Sequence, residues 1–262
     1  MQKMNDMTAS ELLEKAAAQG SVLGLSRVSE LLRRMGDPQD SLNIIHISGT
    51  NGKGSFGAML CSVLKCAGYR TGSFSSPAIT SVTDCFRING TEISQAELDQ
   101  CLGDIAAHWD AMDEKPTEFE VLTAAAFDIF RRNGCKAVTV ECGMGGDLDS
   151  TNVIKSPLLS VITNVQKDHC SFLGNTTAEI AGHKAGIIRK GGLSARPPEV
   201  DTGTSSIHQK RHIDAALDAP ADEGHIASGF CIIPVGERDA GGSPAEIMRQ
   251  GGNQPAEHLR IL

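Results

Sequence analysis

Ile44-Ile45-His46-Ile47-Ser48-Gly49-Thr50-Asn51-Gly52-Lys53-Gly54-Ser55 begins as a short apolar strand and breaks into a glycine-rich turn carrying one lysine. The pattern predicts a helix directly after it, Phe56 to Ala67. In a strand, glycine turn and helix, backbone N–H groups and the positive end of a helix dipole converge on a phosphate, and a lysine adds a mobile charge. The strict phosphate-loop pattern puts Ser or Thr directly after the lysine. Here Gly54 intervenes and the hydroxyl is delayed to Ser55, so the loop is a variant. Lys53 is expected to reach the β/γ-phosphates, and Ser55 or Thr50 to offer a hydroxyl to phosphate or metal. A plain glycine turn is the competing reading, and the flanking strand and helix weigh against it.

The 262-residue length suggests one large or two ordinary domains. A net charge of −8 and an aromatic content of 4% disfavour nucleic-acid and anionic-membrane partners. Anion binding must then be local, built from a few basic residues and backbone dipoles. Eight cysteines lie scattered without a CxxC pair, which reads as reduced thiols in a reducing cytoplasm. The polar first twenty residues lack the apolar core of a signal peptide, and no segment is long enough to span a bilayer.

Outward from the loop, helices are expected at Ser10 to Ala18, with Ser10 as cap, and around Leu25 to Arg34, stopped by Gly36-Asp37-Pro38. Ser94 with Glu97, and Thr117 with Glu120, read as capping boxes for helices reaching Trp109 and Arg132. Strands are expected around Tyr69–Ser75, Lys136–Val140 and Leu158–Thr163, and Ile88-Asn89-Gly90 reads as a turn. Strands alternating with helices imply an α/β fold: a mostly parallel sheet with helices on both faces and ligands at the carboxyl ends of the strands. The notable polar residues fall at those ends: Gly49–Ser55, Ser75-Ser76, Glu141 and Asp168-His169.

Glu141 precedes Cys142-Gly143-Met144-Gly145-Gly146. A carboxylate there suits Mg²⁺, which takes few protein ligands and keeps waters and phosphate oxygens. The alternative is a solvated strand-end glutamate. His169 alone reads as structural before it reads as a ligand, and Lys184, in a helix opened near Thr176 or Thr177, reads as a surface lysine.

These residues, in this order, resemble the folylpolyglutamate synthase/dihydrofolate synthase family, a branch of the Mur ligase superfamily. The resemblance is carried by Gly24–Arg27 through Gly36–Gln39, His46–Ser55, Ser75-Ser76-Pro77 and Phe119-Glu120. It continues in Glu141 with Gly145-Gly146, Leu148–Ile154, Asp168-His169, Phe172-Leu173-Gly174 and Lys184–Ile188, and covers roughly residues 20 to 191. It implies that Gly49, Thr50, Asn51, Gly52, Lys53, Gly54 and Ser55 bind ATP, and that Ser76 and Glu141 hold one Mg²⁺. His169 and a carbamylated Lys184 would hold a second metal, and Lys53, His169 and Lys184 are the implied catalytic residues. The implied reaction passes the γ-phosphate of ATP to a dihydropteroate or folyl carboxylate, and the amine of L-glutamate then attacks the acyl phosphate. A cytoplasmic monomer acting on small molecules is the implied setting.

Some positions depart from the family. Ala78 stands for a frequent histidine, Asp84-Cys85 for Glu-Arg, Asp147 for an arginine and His183 for a glutamate. After Gly191-Gly192 the chain turns rich in Gly, Pro, Ala, Asp and His, and only Phe230–Ile233 looks like a strand. The resemblance implies a smaller carboxy-terminal α/β domain whose motifs do not appear. The expected organisation is therefore an incomplete ATP-binding domain over 1–192 and a divergent, poorly ordered tail over 193–262, from a shifted reading frame or natural divergence. Little ligase turnover is expected of such a chain. An inactive nucleotide-binding remnant and a Mur-type ligase for another acid are the alternative readings.

Overall fold

The computed structural model describes residues 7–196 and the backbone of two further short strands, 226–227 and 230–234. Strand β1 (Ile44–Ser48) is buried along its whole length, as a central parallel strand must be. Its side chains alternate, with Ile44 entering the larger core while Ile45 and Ile47 enter the smaller one. β2 (Thr71–Phe74) is followed by the hairpin strands β3 (Phe86–Ile88) and β4 (Thr91–Glu92), then by β5 (Ala137–Glu141), β6 (Leu159–Ile162) and β7 (Leu193–Arg196). The strand order is β4-β3-β2-β5-β1-β6-β7, continued by β9 (Phe230–Pro234) and β8 (Ile226–Ala227). The five central strands are parallel and the two at each edge are antiparallel.

Helices α1 (Ala9–Ala17), α2 (Ser26–Arg34), α4 (Gln95–Trp109) and α5 (Glu118–Arg132) share the larger core, where Leu12, Leu32, Leu102 and Phe127 join Phe74 and Val138. Helix α3 (Lys53–Cys66) covers the other face through Leu64, against Ile45, Ile47 and Val161. The short α6 (Cys170–Leu173) and α7 (Thr177–Ala185) follow β6. The helix between the faces of its neighbours is α5, buried from Glu120 to Phe130 and opened by the expected Thr117/Glu120 capping box.

Several local expectations change. The cap of α1 is Thr8 rather than Ser10, because Thr8 and Glu11 exchange both capping hydrogen bonds. Helix α3 begins at Lys53, three residues early, because Gly52 adopts a left-handed φ of 79° as its N-cap. Ser94 caps α4, but Glu97 does not return the bond: its carboxylate accepts from Asn133 Nδ2 at 2.5 Å. The Asn89-Gly90 turn closes a hairpin, both residues having positive φ, as tight hairpin turns demand. β3 and β4 are too short for alternation to announce them.

The sheet continues at residues 193–196 and 230–234, within the span of the expected tail. β7 pairs in parallel with β6, and its Ser194 and Ala195 are buried. β9, on the one apolar run of the later sequence, pairs antiparallel with β7. The remainder of the expected tail, 197–225, 228–229 and 235–262, lies outside the described residues. Among the described residues no helix is long and apolar enough to cross a membrane, and seven cysteines are free thiols.

Candidate phosphate and metal site

The loop after β1 is held open by its neighbour, the segment after β6. Asn164 accepts from Thr50 N at 3.0 Å through its carbonyl and from Asn51 N at 2.8 Å through Oδ1. Thr163 Oγ1 donates to Asn51 O at 2.7 Å, and Thr50 Oγ1 accepts from Gln166 N at 3.0 Å. Gly49, at φ 147°, leaves no space for a Cβ, which would strike the Thr163 hydroxyl. The sequence reading missed Thr163 and Asn164 as functional positions. Their only signal is a Thr-Asn pair at the end of a strand that the fold sets beside β1. Asn164→Ala is expected to weaken nucleotide binding about five- to tenfold with little change in thermal midpoint, since it removes bonds that hold the loop and none that hold the core. Titration of ADP by calorimetry measures this.

Lys53 opens α3, where it contributes a free N–H and a mobile charge. Its Nζ donates to Thr50 O at 3.3 Å and lies 3.6 Å from Glu141 Oε1. Glu141 ends β5 and is buried, and burial pushes its carboxyl upward, opposed by Lys53 and by the Ser76 N–H. The structure thus brings Ser76, Glu141, Lys53 and the glycine loop together. A Cβ on Gly54 would stand 3.0 Å from Glu141 Oε2, so glycine lets the carboxylate face the head of α3.

Lys184 is not a surface lysine. Only 2% of it is exposed, and Nζ donates to Gly49 O at 2.7 Å. Burial, with Lys53 adding repulsion, draws its pKa down to about 8. Asp168 is among the negative groups that oppose the fall. His169 is exposed, with Nε2 3.5 Å from Asp168 Oδ2, at the start of α6. It lines a cavity of about 430 Å³, apart from the loop, together with Phe119, Glu120, Met144, Asp149 and Phe172. No cluster of three or more His, Cys, Asp or Glu suited to a metal occurs among the described residues.

Two walls of this cavity are braced from behind. Glu120 Oε2 accepts from Thr117 N at 2.7 Å and Arg27 Nε at 3.0 Å, while its buried Oε1 has no hydrogen-bond partner. Asp149 accepts from Met144 N at 2.8 Å and from the Thr151 hydroxyl at 2.5 Å, and that hydroxyl lies 2.8 Å from His46 Nε2. His46 is fully buried on β1, and burial holds its pKa down to about 3, so the ring is neutral. Because Thr151 donates to Asp149, His46 Nε2–H is the donor to Thr151.

Asp84 and Cys85 are both held within the fold. Asp84 accepts from Ile79 N at 3.1 Å and Thr80 N at 2.7 Å, which with the Ser81 N–H draw its pKa to about 2. Cys85 faces the larger core.

No family model matches the chain. Among curated proteins, the dihydrofolate synthase/folylpolyglutamate synthase of Bacillus subtilis (strain 168) is 44% identical over 173 residues, 64% of this chain and 40% of that one. The dihydrofolate synthetase of Saccharomyces cerevisiae (strain ATCC 204508 / S288c) is 44% identical over 171 residues, with the same coverage of both chains. The chain therefore spans about 40% of the length of the curated relatives it matches. Of solved structures, a folylpolyglutamate synthase complex with AMPPCP and folate superposes with a TM-score of 0.69 at 34% identity, covering 78% of this chain and 51% of that one. Escherichia coli FolC in complex with DHPP and ADP gives 0.66 at 30% identity, covering 79% and 50%.

Proposed function

We propose that this chain, whose matched region is of the dihydrofolate synthase/folylpolyglutamate synthase family, carries the ATP- and metal-binding unit of a ligase that joins L-glutamate to a pteroate or folate carboxylate. The carrying observation is the meeting of two lysines on one phosphate loop, Lys53 at its helix head and buried Lys184 on the carbonyl of Gly49. A loop built for one phosphate needs a single lysine. A second, desolvated one suits a site that must also stabilise charge on a transferring phosphoryl group. The ATP-binding unit is assigned to residues 1–192, and the strands at 193–196, 226–227 and 230–234 extend its sheet.

The donors present fit Mg²⁺. Glu141 is a desolvated carboxylate whose nearest cation, Lys53, stands 3.6 Å off, and a few-ligand ion of this kind needs one such anion beside a phosphate. Ser76 and Glu141 would hold one ion, and Mg²⁺ there would supply charge neutralisation on the phosphates. For a second ion the resemblance assigns His169 and Lys184, of which His169 lines the cavity apart from the loop and Lys184 bonds the loop carbonyl of Gly49. As an ammonium Lys184 is a donor only. Its lowered pKa leaves a usable neutral fraction near pH 7, which falls as pH drops below about 8. That amine attacks CO₂: an N–C bond forms, one C=O becomes a carboxylate, and a proton leaves to solvent. The product is an oxygen ligand.

In the ligation, a substrate carboxylate oxygen bonds to the γ-phosphorus as the β–γ bridging P–O bond breaks, and ADP leaves. The glutamate amine then bonds to the acyl carbon, the C–O bond to phosphate breaks, and the amine proton is lost. Lys53 and the head of α3 hold negative charge that shifts between bridging oxygens. The cavity holding Glu120, Phe119 and His169 suits the flat, amino-substituted ring of the substrate: Phe119 offers a face, and the unpartnered Glu120 Oε1 an acceptor for a ring N–H.

Calorimetry with ADP and with dihydropteroate tests the reading. Micromolar binding of each is the expected result, with little glutamate-dependent release of ADP from ATP by this chain alone. Nucleotide binding without dihydropteroate binding favours a non-catalytic nucleotide-binding module. Absence of nucleotide binding overturns both.

A further inference from the structure

Asp147, in the glycine loop after β5, and His183, on helix α7, lie 36 residues apart in the chain. The fold puts them in contact: His183 Nδ1 lies 2.9 Å from both carboxylate oxygens of Asp147. We propose that Asp147 and His183 form a single acid–imidazole clamp that positions Lys184, a reading that rests on the role assigned to Lys184 above.

The backbones on either side of the clamp already meet. Asp147 N donates to His183 O at 2.9 Å, and Asn152 Nδ2 donates to Asp147 O at 2.9 Å and Gly186 O at 3.3 Å. A Cβ on Gly146 would stand 2.6 Å from His183 O and 2.8 Å from Lys184 O. This contact sets how far α7 lies from the loop, but a bare backbone contact leaves the helix free to roll. The clamp stops the roll. His183 and Lys184 are adjacent, about 100° apart around the helix axis. Fixing the His183 ring against Asp147 therefore sends Lys184 inward, to Gly49 O at 2.7 Å. Both clamp side chains are partly exposed, 31% and 40%, so their contribution to global stability is small and their effect is on orientation. The other charged neighbour of His183 on α7 is Glu179, whose carboxylate is held by the Thr176 and Asn175 N–H groups at the helix start.

The experiment is carbon-13 NMR of the full chain equilibrated with ¹³C-bicarbonate, reading the lysine carbamate resonance assigned by its loss in Lys184→Met. Asp147→Ala and His183→Ala are each expected to reduce carbamate occupancy at fixed bicarbonate about two- to fivefold, the span of a partly exposed pair. His183→Asn retains occupancy, because its Nδ2 stands where Nδ1 stood. Asp147→Arg and His183→Glu each lower occupancy, and the double variant restores it, because its guanidinium and carboxylate close the same contact with its polarity reversed. Thermal unfolding establishes that each variant is folded, and the double variant decides the matter where an alanine variant is not. A Lys184-dependent signal equal in all variants, or one lost in Asp147→Arg and not regained in the double variant, overturns the clamp alone. No Lys184-dependent signal in the unmodified chain overturns the role of Lys184, and the clamp with it.

Discussion

Lys53→Met lowers affinity for ADP and for a non-hydrolysable ATP analogue about a hundredfold, read by calorimetry at constant ionic strength. Lys53 Nζ is half satisfied by the protein, with one carbonyl at 3.3 Å and one carboxylate at 3.6 Å. The rest of its hydrogen-bonding capacity faces the loop. Hydrogen bonds from a charged donor contribute about 1.5–3 kcal/mol each, and the upper end is about a hundredfold in affinity. Loss of the lysine also strips the desolvated Glu141 of the cation that opposes its upward shift. Its carboxyl then moves further up, so a larger part of it is protonated at a given pH. Divalent-cation dependence of nucleotide binding should accordingly weaken toward low pH in the variant more than in the unmodified chain. Lys53→Arg recovers the charge but not the compact ammonium that the turn admits, and falls between the two. An affinity within twofold of the unmodified chain would show that phosphate is held by backbone alone.

What was legible beforehand follows from how local the information is. The phosphate loop, its strand and its helix are spelled by twelve neighbouring residues, and the structure builds them with one shift, the early start of α3 at Lys53. Glu141 and Ser76 were legible as strand-end residues because a parallel sheet gathers those ends whatever the helices do. Lys184 was legible by family resemblance and not by its own surroundings. Its burial depends on a carbonyl 135 residues away, and a helix of nine residues does not announce which turn faces inward. Asn164 escaped for a related reason: an amide after a strand is a common loop residue until the sheet order places it against the Thr50 and Asn51 amides. Asp147 and His183 announce no partnership along the chain, and only the fold brings them into contact. Tertiary pairing of this sort has no period and no fixed spacing, so no pattern along the chain carries it.

Gly146→Ala and Gly182→Ala, the same chemical change made on the two sides of the α7 contact, are expected to move stability in opposite directions. Gly182 lies exposed within α7, with nothing within 4 Å of an added Cβ. Alanine there removes glycine's conformational freedom from the unfolded chain and should stabilise by about 0.5–1 kcal/mol. Gly146 would gain the same entropic benefit, since its φ is not in the left-handed region, but its Cβ would meet two main-chain carbonyls at 2.6 and 2.8 Å and Ile187 Cγ2 at 3.1 Å. A flexible side chain could turn aside, whereas helix carbonyls move only with the helix. Forcing one methyl into such a contact costs about 1–3 kcal/mol, which exceeds the entropic gain, so the net effect is destabilising. The displacement has a direction as well as a cost. Lifting α7 from the loop draws Lys184 off Gly49 O, so Gly146→Ala should also lower nucleotide affinity and Lys184 carbamate occupancy, while Gly182→Ala leaves both unchanged. Urea denaturation midpoints with unchanged m-values give the stability half of the comparison. Equal midpoints for the two variants would mean that the glycine loop yields to the methyl, and that α7 is not fixed against it at backbone distance.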